Sequence, residues 1–217
     1  GKLHQDGTPH DWFETEKIFK SVFGDDWFNL IEINEKLPIG CGCVAQVYKG
    51  KYLKGEDSVQ VAIKVLHPSI RERMEMDIDI MKFFASMIEK LLPKIGWLSL
   101  HESILEFEKL LKMQLDLRLE AANLIKFQEK SKFNKFIKYP KPVKEMTKEL
   151  ILVEDYIHGQ ALCDYLKTPL SSLSKSEINE RKRLAKIGLN TFLRMVFIDN
   201  FIHCDLHPGL RSNVYLN

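Results

Sequence analysis

Three stretches of this 217-residue chain hold residue types that could handle a chain of phosphates. The first is Gly40-Cys41-Gly42-Cys43-Val44-Ala45-Gln46-Val47. Gly40 and Gly42 have no side chains, so backbone amides of a loop built on them can approach phosphate oxygens, and Val47-Tyr48 resumes a strand able to cover an adenine ring. Ala45 stands where a third glycine would complete the pattern G-x-G-x-x-G. The second stretch, Val61-Ala62-Ile63-Lys64, offers a cation to the same oxygens, and the third, His203-Cys204-Asp205, places a carboxylate that can orient a hydroxyl and accept its proton. Each alone has a plainer reading: a hairpin without ligand, a solvated edge lysine, an aspartate capping a turn. Taken in order, loop, strand lysine and loop aspartate fit phosphoryl transfer.

The elements that must position these residues follow from hydrophobic spacing. Val59, Val61, Ile63 and Val65 alternate with Gln60, Ala62, Lys64 and Leu66, which predicts a strand carrying Lys64 off the face opposite its β-branched residues. Trp12, Phe13, Ile18, Phe19, Val22 and Phe23 recur at helical spacing up to Gly24 and predict a helix with those residues in the core. Ile70, Met74, Ile78, Met81, Phe84 and Ile88 predict a long amphipathic helix to about Leu92, stopped by Pro93. Its methionines suit packing or a lipid groove. A second helix is predicted from near His101, with Ile104, Leu105, Leu111, Leu115 and Leu119 on its apolar side and Asp116 and Glu120 on a shared face. Leu150 to Val153 read as a buried strand, and Glu154 to Gly159 as a hinge whose backbone can meet a base. A last helix, Ile187 to Phe197, is predicted to hold Ile187, Leu189, Phe192, Leu193, Val196 and Phe197 together in the core and to deliver Asp205.

With 45% hydrophobic residues the chain can bury a sizeable core, and 32 basic against 30 acidic residues leave no electrostatic footprint for a nucleic-acid partner. Four scattered cysteines favour a reducing compartment over a disulfide framework. Cys41 and Cys43 with His203 and His207 lack the usual zinc-site spacing. No apolar run reaches the roughly 18 residues of a spanning helix, so a soluble or peripheral protein is expected. Eight lysines against two glutamates between Lys126 and Lys148 suit a solvated loop or an anionic lipid surface.

The chain resembles the aarF/UbiB-type family of atypical protein-kinase-like proteins associated with coenzyme Q metabolism. Four stretches carry the likeness: Pro38 to Tyr48, Val61 to Pro68, Asp116 to Asn123 and His203 to Gly209. The Gly-Cys-Gly-Cys loop and Trp97-Leu98-Ser99-Leu100 are most similar to the branch called aarF domain-containing protein kinase 2. The resemblance implies an α+β, protein-kinase-like fold: a helical lead-in over residues 1–37, a small β-rich N-lobe with an inserted helical hairpin over 38–157, and a helical C-lobe over 158–217, truncated after the catalytic loop. It implies ATP or ADP and Mg2+ as cofactors, with Gly40, Gly42, Val44, Ala45, Gln46, Val47, Lys64, Glu154 and Tyr156 around the nucleotide. It singles out Glu120 as the partner of Lys64 and Asp205 as the catalytic aspartate. In a desolvated cleft, removing one member of the Lys64–Glu120 pair should cost about 3–5 kcal/mol. A mitochondrial location, coenzyme Q biosynthetic partners and a peripheral membrane or lipid contact also belong to the resemblance.

The chain departs from the family pattern at three places. Gln114 stands where a glutamate is usual, two residues before Asp116. Leu210 stands where kinases place a magnesium-binding asparagine, and Asn213 resembles that residue displaced by three. No Asp-Phe-Gly follows before Asn217. Two classes of function therefore stay open: an ATP-dependent phosphotransferase or ATPase, and a catalytically inactive pseudokinase that binds nucleotide or lipid within a membrane-associated assembly.

Overall fold

Two neighbouring segments, alternating in and out along their centres, build the ladder that carries Lys64. In the computed structural model, which describes residues 8–55, 57–92, 99–132, 134, 136–159 and 167–202, β3 (Ala45–Lys54) pairs antiparallel with β4 (Asp57–Leu66), from Ala45 opposite Leu66 to Lys54 opposite Asp57. Gly55 adopts φ 65° between them, a left-handed conformation that glycine takes without strain. β1 (Ile31–Glu32) and β2 (Gly40–Cys41) pair antiparallel with β3, and β5 (Ile151–Asp155) lies beside β4.

One face of this sheet is the core of the first unit. Tyr48, Val61, Ile63, Val65, Ile151 and Val153 are wholly buried there with Phe19. Burial of each such side chain contributes roughly 1.5–3 kcal/mol. Helix α1 (Trp12–Phe23), capped by the Asp11 carboxylate and ended by Gly24 at φ 87°, supplies the cover. Phe19 stacks on Trp27 at 4.7 Å and Trp12 meets Tyr48 edge-on at 5.4 Å. Phe13, expected in the core, is 60% exposed with the Lys17 ammonium 4.4 Å above its ring. It follows the capping residue Asp11 by two and so starts the helix on its outer side.

Helices α2 (Ile70–Leu91) and α3 (Leu100–Gln114) form the expected hairpin. Lys82 on α2 reaches Glu108 on α3 at 2.6 Å, and Glu108 also takes Lys112 at 2.8 Å. Of the apolar stripe of α2, Ile78 is buried and Ile70, Met74 and Ile88 are half-buried, whereas Met81 and Phe84 are exposed, as are Met76 and Met87 elsewhere on the helix, so the stripe is only partly covered. The second helix is not continuous. It stops at Gln114, and α4 (Leu117–Lys130) begins anew because Asp116 Oδ1 accepts the Arg118 N–H at 3.0 Å. Asp116 and Glu120 therefore do not share a helix face as expected: Asp116 caps the helix whose first turn holds Glu120.

The chain divides into two units, Gly1–Ala122 with Pro142–Glu154, and Asn123–Lys141 with Asp155–Asn217. In the second, α5 (Lys175–Phe197) opens with a reciprocal cap between Ser174 and Glu177 and buries Met195. Leu189, Phe192, Leu193 and Phe197 are exposed instead of forming the expected core, since spacing fixes which residues share a face but not what covers it. Among the clustered lysines of this unit, Lys130 donates to the Asp199 carbonyl at 2.7 Å and Lys126 lies 5.7 Å from the Phe201 ring centre. No helix among the described residues is long and apolar enough to cross a membrane.

Candidate nucleotide site

Pairing register decides which side chains look away from the core. Val47 lies opposite Lys64 and Lys49 opposite Ala62, so these four share the outer face of the ladder while Tyr48 and Ile63 point inward. Val47, Ala62 and Lys64 are half-buried there. The result is a small apolar floor of Val47 and Ala62, flanked by half-buried Lys64 on one side and exposed Lys49 on the other.

The glycine segment closes over the end of that ladder as a hairpin. Gly40 pairs with Val47 and Cys41 with Gln46, and the Gly42 N–H donates to the Ala45 carbonyl at 2.8 Å across the tip. Neither glycine is needed for packing. A Cβ at Gly40 would meet nothing within 4 Å, and one at Gly42 only the Ala45 carbonyl at 3.6 Å. Gly50, by contrast, is held bare by the Glu32 carbonyl and the Ile63 side chain, both 2.7 Å from where its Cβ would stand. What Gly40 and Gly42 keep clear is open space above the loop, the space a phosphate approaching backbone amides would use.

Glu120 reaches Lys64 from α4, with its two carboxylate oxygens 2.9 and 2.7 Å from Nζ. The start of α4 is pinned to the sheet by its own residues. Leu117 and Ala121 are buried, and the Leu117 N–H donates to the Glu149 carbonyl at 2.9 Å just before β5. Arg118 clasps Asp116 at 2.6 Å, holding that carboxyl below the usual carboxylate range, and lies 3.8 Å from Glu149, which is also paired with Arg71. The Lys64 and Glu120 side chains remain 31% and 42% exposed, so the cleft is not desolvated. An open pair is worth about 0–1 kcal/mol, well below the cost expected for a buried one.

The other expected residues divide between this arrangement and other places. Val44 is half-buried at the hairpin tip and Ala45 buried beneath it. Gln46 is wholly buried on the core face, where its amide bonds to the His10 backbone, Thr15 and Tyr48, so its side chain does not face the Lys64 side. Strand alternation requires this of the residue between Ala45 and Val47. Glu154 lies half-buried near the end of β5, bridged to Pro142, while Tyr156, in the second unit, meets the His158 ring at 4.9 Å. Asp205 and Asn213 lie outside the described residues. Among those described, no three His, Cys, Asp or Glu side chains cluster as metal ligands. Sequence reasoning passed over Arg71, Arg118 and Glu149, which anchor α4. An arginine two residues after a helix-capping aspartate was the available signal.

The family model of the ABC1 atypical kinase-like domain matches residues 2–216. This chain belongs to the ABC1 atypical kinase-like family. Curated relatives include the mitochondrial ABC1 family protein YPL109C of Saccharomyces cerevisiae, 35% identical over 96% of the chain and 33% of the relative. The probable serine/threonine-protein kinase abkC of Dictyostelium discoideum is 35% identical over 96% of the chain and 29% of its own length. The probable protein kinase UbiB of Aliivibrio salmonicida is 33% identical over 89% and 33%. The chain thus spans about a third of the length of the ABC1 and UbiB relatives it matches. Among solved structures, the Mycobacterium tuberculosis protein Rv3197, in its complex with erythromycin, superposes with a TM-score of 0.70 at 20% identity, covering 93% of this chain and 48% of that one. That likeness establishes the α+β, kinase-like fold of this ABC1 chain.

Proposed function

We propose that this ABC1 chain binds ATP or ADP against the outer face of β3 and β4 as part of an ATP-dependent phosphotransferase. The observation that carries the reading is the Lys64–Glu120 pair, set on the same face as Val47 and Ala62 at the edge of a hairpin whose glycines no packing requires. Glu120 holds the Lys64 ammonium in place, Lys64 neutralises phosphate oxygens, and Val47 and Ala62 floor the base. Bound ATP would supply the transferable phosphoryl group. Asp205 is assigned to orient the acceptor hydroxyl and take its proton, and Asn213 and Mg2+ to the metal part of the site, on the family pattern alone. The mitochondrial ABC1 relative supports a mitochondrial setting and the UbiB relatives a role in coenzyme Q metabolism, while a wider role in lipid metabolism and biosynthetic proteins or a lipid surface as partners rest on the family resemblance alone.

One observation favours a second reading. Leu210 occupies the position five residues after Asp205 where kinases carry a metal-binding asparagine, which suits a pseudokinase that holds nucleotide without turnover. Asp205→Ala separates the two: loss of ATP turnover with ADP binding intact supports the enzyme. Binding by the parent protein with no turnover above that of Asp205→Ala supports the binding module. Absence of any ADP-induced thermal shift in the parent would sink both.

A further inference from the structure

A line of hydrogen bonds runs from the buried face of β3 to the carbonyl of Gly42, and both of its ends are backbone groups of fixed polarity. At the inner end the His10 N–H donates to Gln46 Oε1 at 3.1 Å, and Gln46 Nε2 faces the His10 carbonyl at 3.3 Å. A backbone N–H only donates and a carbonyl only accepts, so the Gln46 amide has a single orientation. Its Nε2 donates to the Tyr48 hydroxyl and lies 3.2 Å from Thr15 Oγ1. Thr15 Oγ1 stands 2.8 Å from the Tyr48 oxygen and 2.8 Å from His10 Nε2. His10 Nδ1 is 2.7 Å from His67 Nδ1, and His67 Nε2 is 2.9 Å from the Gly42 carbonyl, with Cys41 Sγ at 3.8 Å.

With both imidazoles neutral, one order of hydrogens satisfies every link. The Gly42 carbonyl accepts, so His67 carries its hydrogen on Nε2 and offers a lone pair at Nδ1. His10 then donates from Nδ1 and accepts at Nε2 from the Thr15 hydroxyl, Thr15 accepts from Tyr48, and Tyr48 accepts from Gln46. Reversing any one link sets two hydrogens or two lone pairs face to face. Burial, then the neighbouring His67, lowers His10 to about 4 against the opposing pull of Glu14 and Asp11. Burial likewise raises the Tyr48 hydroxyl and the Cys41 thiol, Cys43 adding to the latter, so the groups facing the two imidazoles stay uncharged near neutrality.

His67 grips the hairpin twice. Its side chain takes the Gly42 carbonyl, and its backbone N–H donates to the Val44 carbonyl at 2.9 Å. It stands three residues beyond Lys64 on the same chain segment. We propose that His67, set in its Nε2–H form by His10 and the Thr15–Tyr48–Gln46 relay, is a positioning residue that fixes the glycine-rich hairpin in register with Lys64 for nucleotide binding. The role in binding rests on the nucleotide reading above, whereas the relay itself does not.

The test uses the full chain without nucleotide first. Long-range 1H–15N NMR of the imidazoles at pH 7 should find His67 protonated on Nε2 and His10 on Nδ1. The opposite form at either ring overturns the relay. Amide exchange at Gly42 should speed about tenfold in His67→Leu and stay near the parent rate in His67→Gln, whose amide can still donate to the carbonyl. Equal exchange in a folded His67→Leu and the parent also overturns it. ADP titration then reads the positioning role: His67→Leu should bind about tenfold more weakly and His67→Gln within about twofold of the parent. Parent-like binding by His67→Leu overturns that role. Should His67→Leu fail to fold, His67→Gln carries the same test, since hairpin exchange and ADP binding as poor as those of a His10→Phe variant would overturn it. A parent protein that binds no ADP while showing the predicted tautomers and exchange rates refutes the nucleotide reading and, with it, the positioning role for binding, and leaves the relay standing.

Discussion

Two lysine–glutamate pairs of the first unit have the same chemistry and nearly the same length but different surroundings. Lys64 on β4 meets Glu120 on α4 at 2.7 Å, and Lys82 on α2 meets Glu108 on α3 at 2.6 Å. Glu108 is only 17% exposed and shared between Lys82 and Lys112, whose hydrogen bonds pull its carboxyl down to about 2. Glu120 is 42% exposed and gives both oxygens to the single cation Lys64. Two cations saturate one sheltered carboxylate, and of these Lys82 ties α2 to α3 while Lys112 lies on α3 itself, four residues after Glu108. A one-to-one pair left open to water adds little to stability and keeps its ammonium within reach of an anion. Distance does not separate the structural pair from the one proposed to bind nucleotide; exposure and stoichiometry do.

Lys64→Ala breaks this comparison most sharply. We expect the stabilisation of the melting transition by ADP to vanish while the melting temperature of the unliganded protein moves little, as suits an exposed pair. A large fall in the unliganded melting temperature would mean that Lys64 holds the fold and would remove its claim to the nucleotide. Glu108→Gln should behave in the opposite way, lowering the midpoint by a few degrees and leaving the ADP shift intact. Its acid dependence follows from the sign of its displacement. A carboxyl whose folded pKa is depressed contributes stability that is complete above its ordinary 4.5 and is lost as pH falls toward 2. Urea midpoints taken from pH 6 down to 3 should therefore fall less steeply in Glu108→Gln than in the parent below about pH 4.5. Parallel curves would show that Glu108 plays no part in the acid response.

The ladder was legible because its signal is local. Period-two alternation over residues 59–66 and the preceding glycine-rich strand-turn-strand define β4, the start of β3 and the face that Lys64 occupies. The reach of α2 to Leu91 was equally plain from three-and-four spacing ended by proline. The break between α3 and α4 was not, since Leu111, Leu115 and Leu119 keep a helical period straight across Asp116, and a capping side chain leaves no trace in hydrophobicity. Coverage is invisible to periodicity, which is why Leu189, Phe192, Leu193 and Phe197 of α5 were assigned to a core they do not enter, and why Met81 and Phe84 of α2 stand exposed on a stripe that is otherwise buried or half-buried. Glu120 could not be chosen from spacing among the helix glutamates; only resemblance selected it. The His10–His67 contact joins residues 57 apart in sequence, and each histidine by itself is an ordinary polar residue beside an ordinary turn.

The smallest effect that bears on the comparison lies one step behind Glu120. Arg118 holds Asp116 at the cap of α4 and lies 3.8 Å from Glu149, whose carbonyl receives the Leu117 N–H. These contacts fix where the first turn of α4 begins and thus where Glu120 stands relative to β4. Arg118→Ala leaves both members of the Lys64–Glu120 pair in the chain but loosens the start of the helix that aims one of them. ADP affinity should fall by about twofold to fivefold, less than for Lys64→Ala, and Arg118→Lys should recover only part of it because an ammonium cannot clasp Asp116 as a guanidinium does. Combining Arg118→Ala with Glu120→Gln decides the route. If Arg118 acts through Glu120, the double variant binds ADP no worse than Glu120→Gln alone. If the two losses multiply, Arg118 supports the site by another path, and an open ion pair needs more than a well-anchored helix end to be held in register.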